Sequence, residues 1–385
     1  MTDALDLVDD WGPEKIVVVS HRRTGMKGVL VIDNTARGVG KGGTRMAPTV
    51  TVEEVARLAR TMTWKWAGVD LFYGGAKAGI VADPTAPDKE AVLRAFVRAL
   101  SNEVPREYVV GLDMGLTEDD AAIVQDELGD RGAAVGTPAH LGGIPYDQLG
   151  VTGYGVAEAA DAAADQLGRP LRGARVSIQG FGAVGSAAAR RFAELGATVV
   201  AVSTAQGALH DPTGLDVGAL AAARAEFGDH LVTRSGLGEA VAPGAELVVD
   251  CDVLVPAALQ DVVDAGTAAE IKAHLVVEGA NLPTSAPAQA VLAARGVTVV
   301  PDFVANAGGV IAAAFAMDAR YSGFRPDAAA VFSTISDRLR ANTLTVLGEA
   351  ARKDVTPHEA GRRLAQDRVR AAMRSKGRLP TAGQR

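Results

Sequence analysis

Three lysines in the first eighty residues have surroundings suited to binding a carboxylate and moving a proton. Lys41 lies in the glycine-rich segment 40–45 and Lys77 in the similar segment 74–79. Glycine on both sides of a lysine lets the backbone and a ligand approach closely. Thr51 and Glu54, at the spacing of a capping box, predict the start of a helix over residues 52–66. Lys65 continues the apolar stripe of that helix. Because cations gathered in a dry cleft lower one another's pKa, one lysine is expected to act as a base near about pH 8 while another binds a carboxylate.

A carboxylate that could exchange protons with such a base follows an apolar run. Asp113 comes directly after residues 108–112, which read as a buried strand. Each feature alone also fits an ordinary structure: a solvated lysine on a flexible surface loop, or an aspartate in a turn. Two glycine-flanked lysines together with Lys65 favour a catalytic or binding site over a chance arrangement.

A second motif predicts a dinucleotide site further along the chain. Gly180, Gly182 and Gly185 form G-x-G-x-x-G directly after a strand predicted over 175–179 and before a helix starting near residue 186. These glycines permit a tight turn, close approach to a pyrophosphate and close helix packing, and the helix amino terminus attracts phosphate. Ala183 and Val184 complete this loop.

The strand that follows the glycine loop leaves the choice of coenzyme open. A carboxylate at its end normally binds the ribose hydroxyls of NAD. The strand predicted over 198–203 instead ends at Ser203 and is followed by Thr204 and Gln206, and no carboxylate comes before Asp211. The sequence therefore predicts NAD or NADP.

The elements around these motifs indicate an α/β protein of two domains. Strand-like and helical runs alternate over residues 151–310, which is typical of a Rossmann-type, doubly wound parallel sheet. Residues 1–150 mix strands and helices and are predicted to form a separate α/β domain. The helical tail, residues 311–385, is predicted to complete that first domain.

Composition and residue counts limit the partners, the location and the cofactors that the chain is expected to have. The 385 residues are 48% hydrophobic and 22% charged, which is typical of a folded chain, and the net charge of −7 disfavours nucleic acid as a partner. A single cysteine, Cys251, fits a reducing cytoplasm. The acidic amino terminus does not read as a signal peptide, and no apolar stretch is long enough to span a membrane. The six histidines show no close pair, so no metal is predicted.

In their order along the chain, these motifs resemble the signatures of the glutamate, leucine, phenylalanine and valine dehydrogenase family. The resemblance covers residues 15–317. It rests on residues 41–45 (KGGTR), 61–65 (TMTWK), 74–77 (GGAK), 180–185 (GFGAVG), 251–258 (CDVLVPAA), 278–281 (EGAN) and 306–310 (NAGGV).

The resemblance implies that residues 1–150 form the domain for substrate binding and oligomerisation, and it implies a role for each motif. Lys65 would bind the substrate α-carboxylate, Lys77 would be the catalytic lysine and Asp113 would transfer protons. The implied reaction is oxidative deamination of an L-amino acid to a 2-oxo acid and ammonia, with NAD or NADP, in a homo-oligomer. The other positions implied to contact substrate or coenzyme are Gly43, Thr152, Ala257, Asn281, Asn306 and Ala313.

Two positions give opposite indications of the substrate. Lys41 matches the lysine with which glutamate-specific members bind the side-chain carboxylate, whereas Ala313 replaces their serine seven residues after Asn306. Because a buried, unpaired lysine would oppose an apolar substrate more strongly than one lost hydrogen bond weakens glutamate, glutamate is the leading substrate. A leucine, valine or phenylalanine type of enzyme is one alternative. A catalytically silent nucleotide-binding relative is another, although Lys65, Lys77 and Asp113 are all present.

Overall fold

The computed structural model describes residues 4–144 and 146–379, and it divides the chain into two compact units. Unit 1 contains residues 4–144, 312–327 and 364–379. Unit 2 contains residues 146–311 and 328–363.

Unit 1 is built on a mixed five-stranded sheet with the order β1-β2-β4-β3-β5. β1 and β2 pair antiparallel, as do β2 and β4, while β3 pairs parallel with both β4 and β5. The elements are β1 (Lys15–His21), β2 (Met26–Asn34), β3 (Gly40–Met46), α1 (Val52–Gly68), β4 (Gly74–Ile80), α2 (Lys89–Ala99), β5 (Tyr108–Leu112) and α3 (Glu118–Leu128).

Helices cover both faces of this sheet. α1 packs on one face, where Val55 and Ala59 join Val29 and Val31 of β2 in a buried cluster. The opposite face packs against α2 and α3. α1 begins at the predicted cap, since the Thr51 hydroxyl accepts a hydrogen bond from the Glu54 N–H at 3.1 Å.

Unit 2 is built on a seven-stranded sheet with the order β12-β11-β10-β6-β7-β8-β9. The first five strands in this order are parallel, and β8 and β9 extend the sheet antiparallel. Its elements are α4 (Tyr146–Leu149), α5 (Val151–Gln166), β6 (Arg175–Gln179), α6 (Ala183–Glu194), β7 (Thr198–Thr204), β8 (Gly207–His210), α7 (Val217–Phe227), α8 (Leu231–Arg234), β9 (Glu239–Val241), β10 (Val253–Pro256), α9 (Ala265–Glu270), β11 (Leu275–Val277), α10 (Ala286–Ala294), β12 (Thr298–Val300), α11 (Asp302–Ala305) and α13 (Ala328–Lys353). Two further helices, α12 (Gly308–Ala319) and α14 (Pro357–Ser375), begin in unit 2 and end in unit 1.

The strand order of unit 2 has a switch point. The chain runs from β6 outward to β7, and the later strands β10, β11 and β12 lie on the other side of β6. In such doubly wound sheets, ligands bind at the carboxyl ends of the strands where the order reverses, here between β6 and β10. The predicted α/β class with a doubly wound second domain is confirmed.

The carboxyl-terminal region is arranged differently from the prediction. Residues 364–379 group with unit 1, and Arg368 Nη1 donates to the carbonyls of Ala67 and Gly68 at the end of α1, both at 2.8 Å. α13, however, groups with unit 2 because it packs on α5. There, Ser336 Oγ donates to the buried carboxylate of Glu158 at 2.5 Å.

The boundary between the units also differs slightly, falling at residues 145/146 instead of 150/151. In the described part of the chain, no helix is both long and apolar enough to cross a membrane.

Candidate active site

The two glycine-flanked lysines lie on neighbouring parallel strands rather than on the loops expected from their glycines. Lys41 is on β3 and Lys77 on β4, and the ladder pairs Lys41 with Gly75 and Gly43 with Gly111 of β5. Because side chains alternate between the faces of a strand, Lys41, Gly43 and Lys77 share the face on which α1 packs.

Lys77 forms an ion pair with Asp113, the residue that directly follows β5. Asp113 Oδ1 also accepts a hydrogen bond from the Met114 N–H at 2.7 Å, and Arg45 Nη2 lies 3.6 Å from Asp113 Oδ2. Burial raises the pKa of Asp113, but Lys77, the Met114 N–H and Arg45 together outweigh it and hold the pKa below its usual value. Asp113 is therefore an ionised carboxylate beside Lys77.

Glycine at two positions is what allows these charged groups to lie close to the strands. A Cβ at Gly43 would lie 2.8 Å from Asp113 Cβ and 3.1 Å from Lys77 Nζ. A Cβ at Gly111 would lie 2.2 Å from Lys41 Nζ. Any side chain at either position would displace the neighbouring lysine or aspartate.

Lys41 is buried, with 4% of its surface exposed, in different surroundings. Its Nζ donates to the neighbouring Gly42 carbonyl at 3.5 Å, and no carboxylate of the described residues lies within ion-pair distance. Burial lowers the pKa of Lys41 to about 7, and the nearby charge of Lys77 contributes. A lysine of lowered pKa is therefore present, as expected. It is Lys41, however, the lysine that the family resemblance assigns to binding the substrate side chain.

Lys65 and Ala313 occupy the flanks of their helices. The buried row of α1 runs through Val55, Ala59 and Thr63 rather than along the predicted stripe, so Lys65 is half-buried beside that row. Ala313 is half-buried on α12, in the part of that helix that belongs to unit 1.

The glycine loop of unit 2 has the shape expected for binding a pyrophosphate. Gly180 has a φ of +92°, and a Cβ at Gly185 would lie 1.8 Å from the Gly180 carbonyl oxygen. Gly182 faces open space, and no side chain caps the amino terminus of α6, which begins at Ala183 and Val184. The open space and the uncapped N–H groups together form a cradle for a phosphate.

Hydrogen bonds from neighbouring residues fix the conformation of the glycine loop and of the segments beside it. Ser203 Oγ accepts a hydrogen bond from the Gly180 N–H at 2.9 Å, and Ser203 is buried. Thr204 Oγ1 donates to the Asp229 carbonyl at 2.7 Å. Ala257 follows β10, and its N–H donates to the Gln179 carbonyl at 2.8 Å, which places Ala257 beside the loop at the switch point.

The remaining predicted coenzyme residues meet at the same edge of the sheet. Asn306 Nδ2 donates to Asn281 Oδ1 at 3.0 Å, so these two side chains are in direct contact. Thr152, on α5, lies near the start of α12, since a Cβ at Gly309 would lie 3.1 Å from Thr152 Oγ1. The structure thus brings Thr152, Asn281 and Asn306 to one region of unit 2.

Sequence reasoning missed three charged residues that support these sites. Arg45 was noted only as part of a motif. Glu278 and Asp302 form a buried chain in unit 2: Glu278 Oε2 accepts from the Asp302 N–H at 2.8 Å, and Asp302 Oδ2 accepts from the Leu282 N–H at 2.9 Å. Glu278 stands in the quoted EGAN motif, which was the available signal. Within the described residues, no group of three histidine, cysteine, aspartate or glutamate residues could hold a metal ion.

The fold, with the Lys77–Asp113 pair in unit 1 and the glycine loop in unit 2, is consistent with an amino acid dehydrogenase that uses a nicotinamide coenzyme. Residues 142–377 match the family model described as Glutamate/Leucine/Phenylalanine/Valine dehydrogenase. Residues 13–129 match the model of the Glu/Leu/Phe/Val dehydrogenase dimerisation domain. The chain belongs to this family, and it is an oxidoreductase that acts on the CH–NH2 group of an amino acid with NAD or NADP.

Several relatives share most of the chain. A glutamate dehydrogenase from Thermotoga maritima is 36% identical over 364 residues, 92% of this chain and 87% of the relative. An NAD-specific glutamate dehydrogenase from Staphylococcus aureus is 40% identical over 293 residues, 73% of this chain and 70% of the relative. A solved structure, the hetero-hexameric glutamate dehydrogenase of Thermus thermophilus in its Leu-bound form, superposes with a TM-score of 0.83 at 30% identity, covering 97% of this chain and 93% of that one.

Proposed function

We propose that the chain catalyses the reversible oxidative deamination of L-glutamate to 2-oxoglutarate and ammonia. The observation that carries the choice of glutamate is Lys41, a buried lysine that no carboxylate of the described residues neutralises. A buried charge without a partner is costly, and the side-chain carboxylate of glutamate would supply that partner. The relatives named glutamate dehydrogenase support the same choice.

We assign the chemical roles by position. Lys65 binds the substrate α-carboxylate, and Gly43 leaves room for the substrate beside Lys77 and Asp113. A bound nicotinamide coenzyme would supply the hydride acceptor that converts the substrate amine into an imine. Lys77 activates the water that adds to this imine, and Asp113 accepts and returns protons as the carbinolamine breaks down to oxo acid and ammonia.

The coenzyme would bind at the carboxyl edge of the unit 2 sheet. Gly180, Gly182 and Gly185 would hold the pyrophosphate with the N–H groups of Ala183 and Val184. Ser203 and Thr204 would lie at the ribose side, and Thr152, Ala257, Asn281 and Asn306 at the nicotinamide side. The name of the Staphylococcus aureus relative favours NAD, and the absence of a carboxylate after β7 leaves NADP as the second coenzyme.

A branched-chain or aromatic amino acid is the second candidate substrate, because Ala313 offers an apolar contact where glutamate-specific members of the family carry serine. One experiment separates the candidates: kcat/KM for glutamate, leucine, valine and phenylalanine, each with NAD and NADP. Glutamate should exceed the apolar amino acids by at least about tenfold. A preference for leucine would overturn the assignment of Lys41 as the side-chain ligand, and no activity with any amino acid would favour the catalytically silent alternative.

The assembly we propose is a homo-oligomer formed through unit 1. Its support is the match of residues 13–129 to a dimerisation domain, together with the Thermus thermophilus enzyme, a hetero-hexamer in which a chain of this fold assembles into an oligomer. The cytoplasmic location stays a prediction from the single cysteine.

A further inference from the structure

Arg45 is a charged residue beside the Lys77–Asp113 pair to which the proposed mechanism gives no role. Its guanidinium lies between two carboxylates, with Nη2 at 3.6 Å from Asp113 Oδ2 and Nη1 donating to Glu54 Oε1 at 2.5 Å. Glu54 is in the first turn of α1 and is fixed there, because its own N–H donates to Thr51. Only about one fifth of the Arg45 side chain is exposed, so solvent screens these contacts weakly.

We infer that Arg45 is a positioning residue: anchored by Glu54, it holds the Asp113 carboxylate in the orientation and charge state in which Asp113 exchanges protons beside Lys77. The inference rests on the proposed role of Asp113. Without Arg45, Asp113 Oδ2 would keep Lys77 as its ion-pair partner. Once Lys77 turns toward substrate and water, the Met114 N–H would still hold Oδ1, but no ion pair among the described residues would hold Oδ2.

Other charged or titratable groups on the neighbouring strands and helix act on Asp113 directly or through another residue. Lys77 on β4 and Tyr108 on β5 interact with Asp113 electrostatically, and Lys41 on β3 interacts with Lys77. α1 carries Glu54, which contacts Arg45, and Lys65, which is half-buried on the same helix. Arg45 differs from the lysines because its planar guanidinium has several N–H donors and contacts two carboxylates at once, those of Asp113 and Glu54.

Replacing Arg45 tests the inference through the pH profile. Arg45→Met should lower kcat for the best amino acid about tenfold, leave its KM within about twofold, and move the acid limb of kcat/KM about one unit to higher pH. Arg45→Lys keeps the charge and should restore most of the shift. Arg94→Met is the matched control, because Arg94 pairs with exposed Glu90 and Asp126 away from the site, and it should change neither kcat nor the limb.

A lower thermal midpoint for Arg45→Met with an unchanged pH profile and unchanged kcat would overturn the inference, because it would make Arg45 purely structural. If Arg45→Met does not fold, the variant Glu54→Gln tests the inference instead. It removes the anchor but keeps the guanidinium, so kcat should fall severalfold with the acid limb unmoved. An unchanged kcat would reject the inference.

Infrared titration of the carboxylate band, assigned by its loss in Asp113→Asn, measures Asp113 without requiring turnover. Arg45→Met should raise the pKa of that band relative to the wild type, and an unchanged band would also reject the inference. If the wild type oxidises no amino acid, the proposed function fails, but this titration still tests the effect of Arg45 on Asp113.

Discussion

Two buried lysines on neighbouring strands have opposite electrostatic surroundings. Lys77 forms an ion pair with Asp113, whereas Lys41 has no carboxylate partner among the described residues and has a pKa lowered to about 7. The proton on Lys41 is therefore coupled to whatever ligand reaches it. A carboxylate placed beside Lys41 would favour its charged form, and an apolar group would favour the neutral amine.

The Lys77–Asp113 pair leads to a prediction about the chemical step. Lys77→Ala removes the group proposed to activate water, so turnover should fall about 10²- to 10⁴-fold while coenzyme binding, which is proposed to use residues of unit 2, stays nearly unchanged. The measurements are kcat and the coenzyme dissociation constant by fluorescence titration.

The control for this variant is Lys89→Ala, which removes a second lysine of unit 1 that pairs with a buried carboxylate, Asp120, at 2.6 Å. It should lower the thermal midpoint without reducing turnover per folded molecule. If Lys77→Ala kept more than about a tenth of wild-type kcat, Lys77 would have no role in the chemistry.

The lowered pKa of Lys41 leads to a prediction about the pH dependence of binding. A dicarboxylate such as glutarate should bind tightest below about pH 7, where Lys41 is charged in the free enzyme. Above that pH its affinity should fall by up to about tenfold per unit, until the raised pKa of the complex is passed. Calorimetry should also show proton uptake on binding at about pH 8.

The matched comparison is Lys41→Leu, whose glutarate affinity should be weak and independent of pH over the same range. The substitution should reduce kcat/KM for glutamate by about 2 to 5 kcal/mol, the usual cost of breaking a buried charge pair. Wild-type glutarate binding that did not vary between about pH 6 and 9 would contradict the assigned role of Lys41.

At the scale of elements, the sequence predicts best where capping and alternation are strong. Residues 175–179 form the predicted strand, and the Thr51 cap starts α1 as expected. The helix after the glycine loop begins at Ala183, three residues earlier than predicted. The sequence places the start too late because Gly185, a residue of low helix propensity, lies in the first turn.

The glycine-flanked lysines mark the limit of sequence reasoning at this scale. Glycine is disfavoured in strands, so segments 40–45 and 74–79 read as loops. In the structure they are central strands. The requirement for glycine comes from contacts with residues far apart in sequence, such as Gly43 against Asp113, and a sequence pattern does not contain such contacts.

Gly111 on β5 provides the test of this packing. Gly111→Ala puts a methyl group 2.2 Å from the position of Lys41 Nζ, so the ammonium must move. We expect kcat/KM for glutamate to fall at least about tenfold while coenzyme affinity is unchanged.

The control for Gly111→Ala is Gly323→Ala in the same unit, because nothing lies within 4 Å of a Cβ at Gly323. That variant should behave like the wild type. If Gly111→Ala lost stability but kept its glutamate kcat/KM per folded molecule, the close approach of Lys41 would have no part in substrate binding.

At the scale of the whole molecule, two α/β domains were predictable but the position of α13 was not. The helical pattern of residues 328–353 shows that one face is buried without indicating which domain covers it. The partner is identified by a buried carboxylate: Glu158 on α5 accepts from Ser336 of α13 and from Arg191 of α6 at 2.7 Å. These contacts join residues far apart in sequence.

Assembly gives the last prediction. Within the part of the chain that the structure describes, β1 is an edge strand paired with β2 alone, and it carries Val18 with 70% of its surface exposed. An edge strand with an exposed apolar side chain is prone to pair with another chain unless something covers it. Since residues 13–129 match a dimerisation domain, a second copy of the chain is the expected cover.

Light scattering coupled to size-exclusion chromatography should therefore give a mass that is a multiple of 39.5 kDa for the wild type. Val18→Asp places a charge where the partner strand would pack, so the mass should fall toward that of the monomer. Leu344→Asp, at an exposed position of α13 in unit 2, should keep the wild-type mass. If Val18→Asp also kept it, β1 would not be the interface, and a monomeric wild type would reject the homo-oligomer itself.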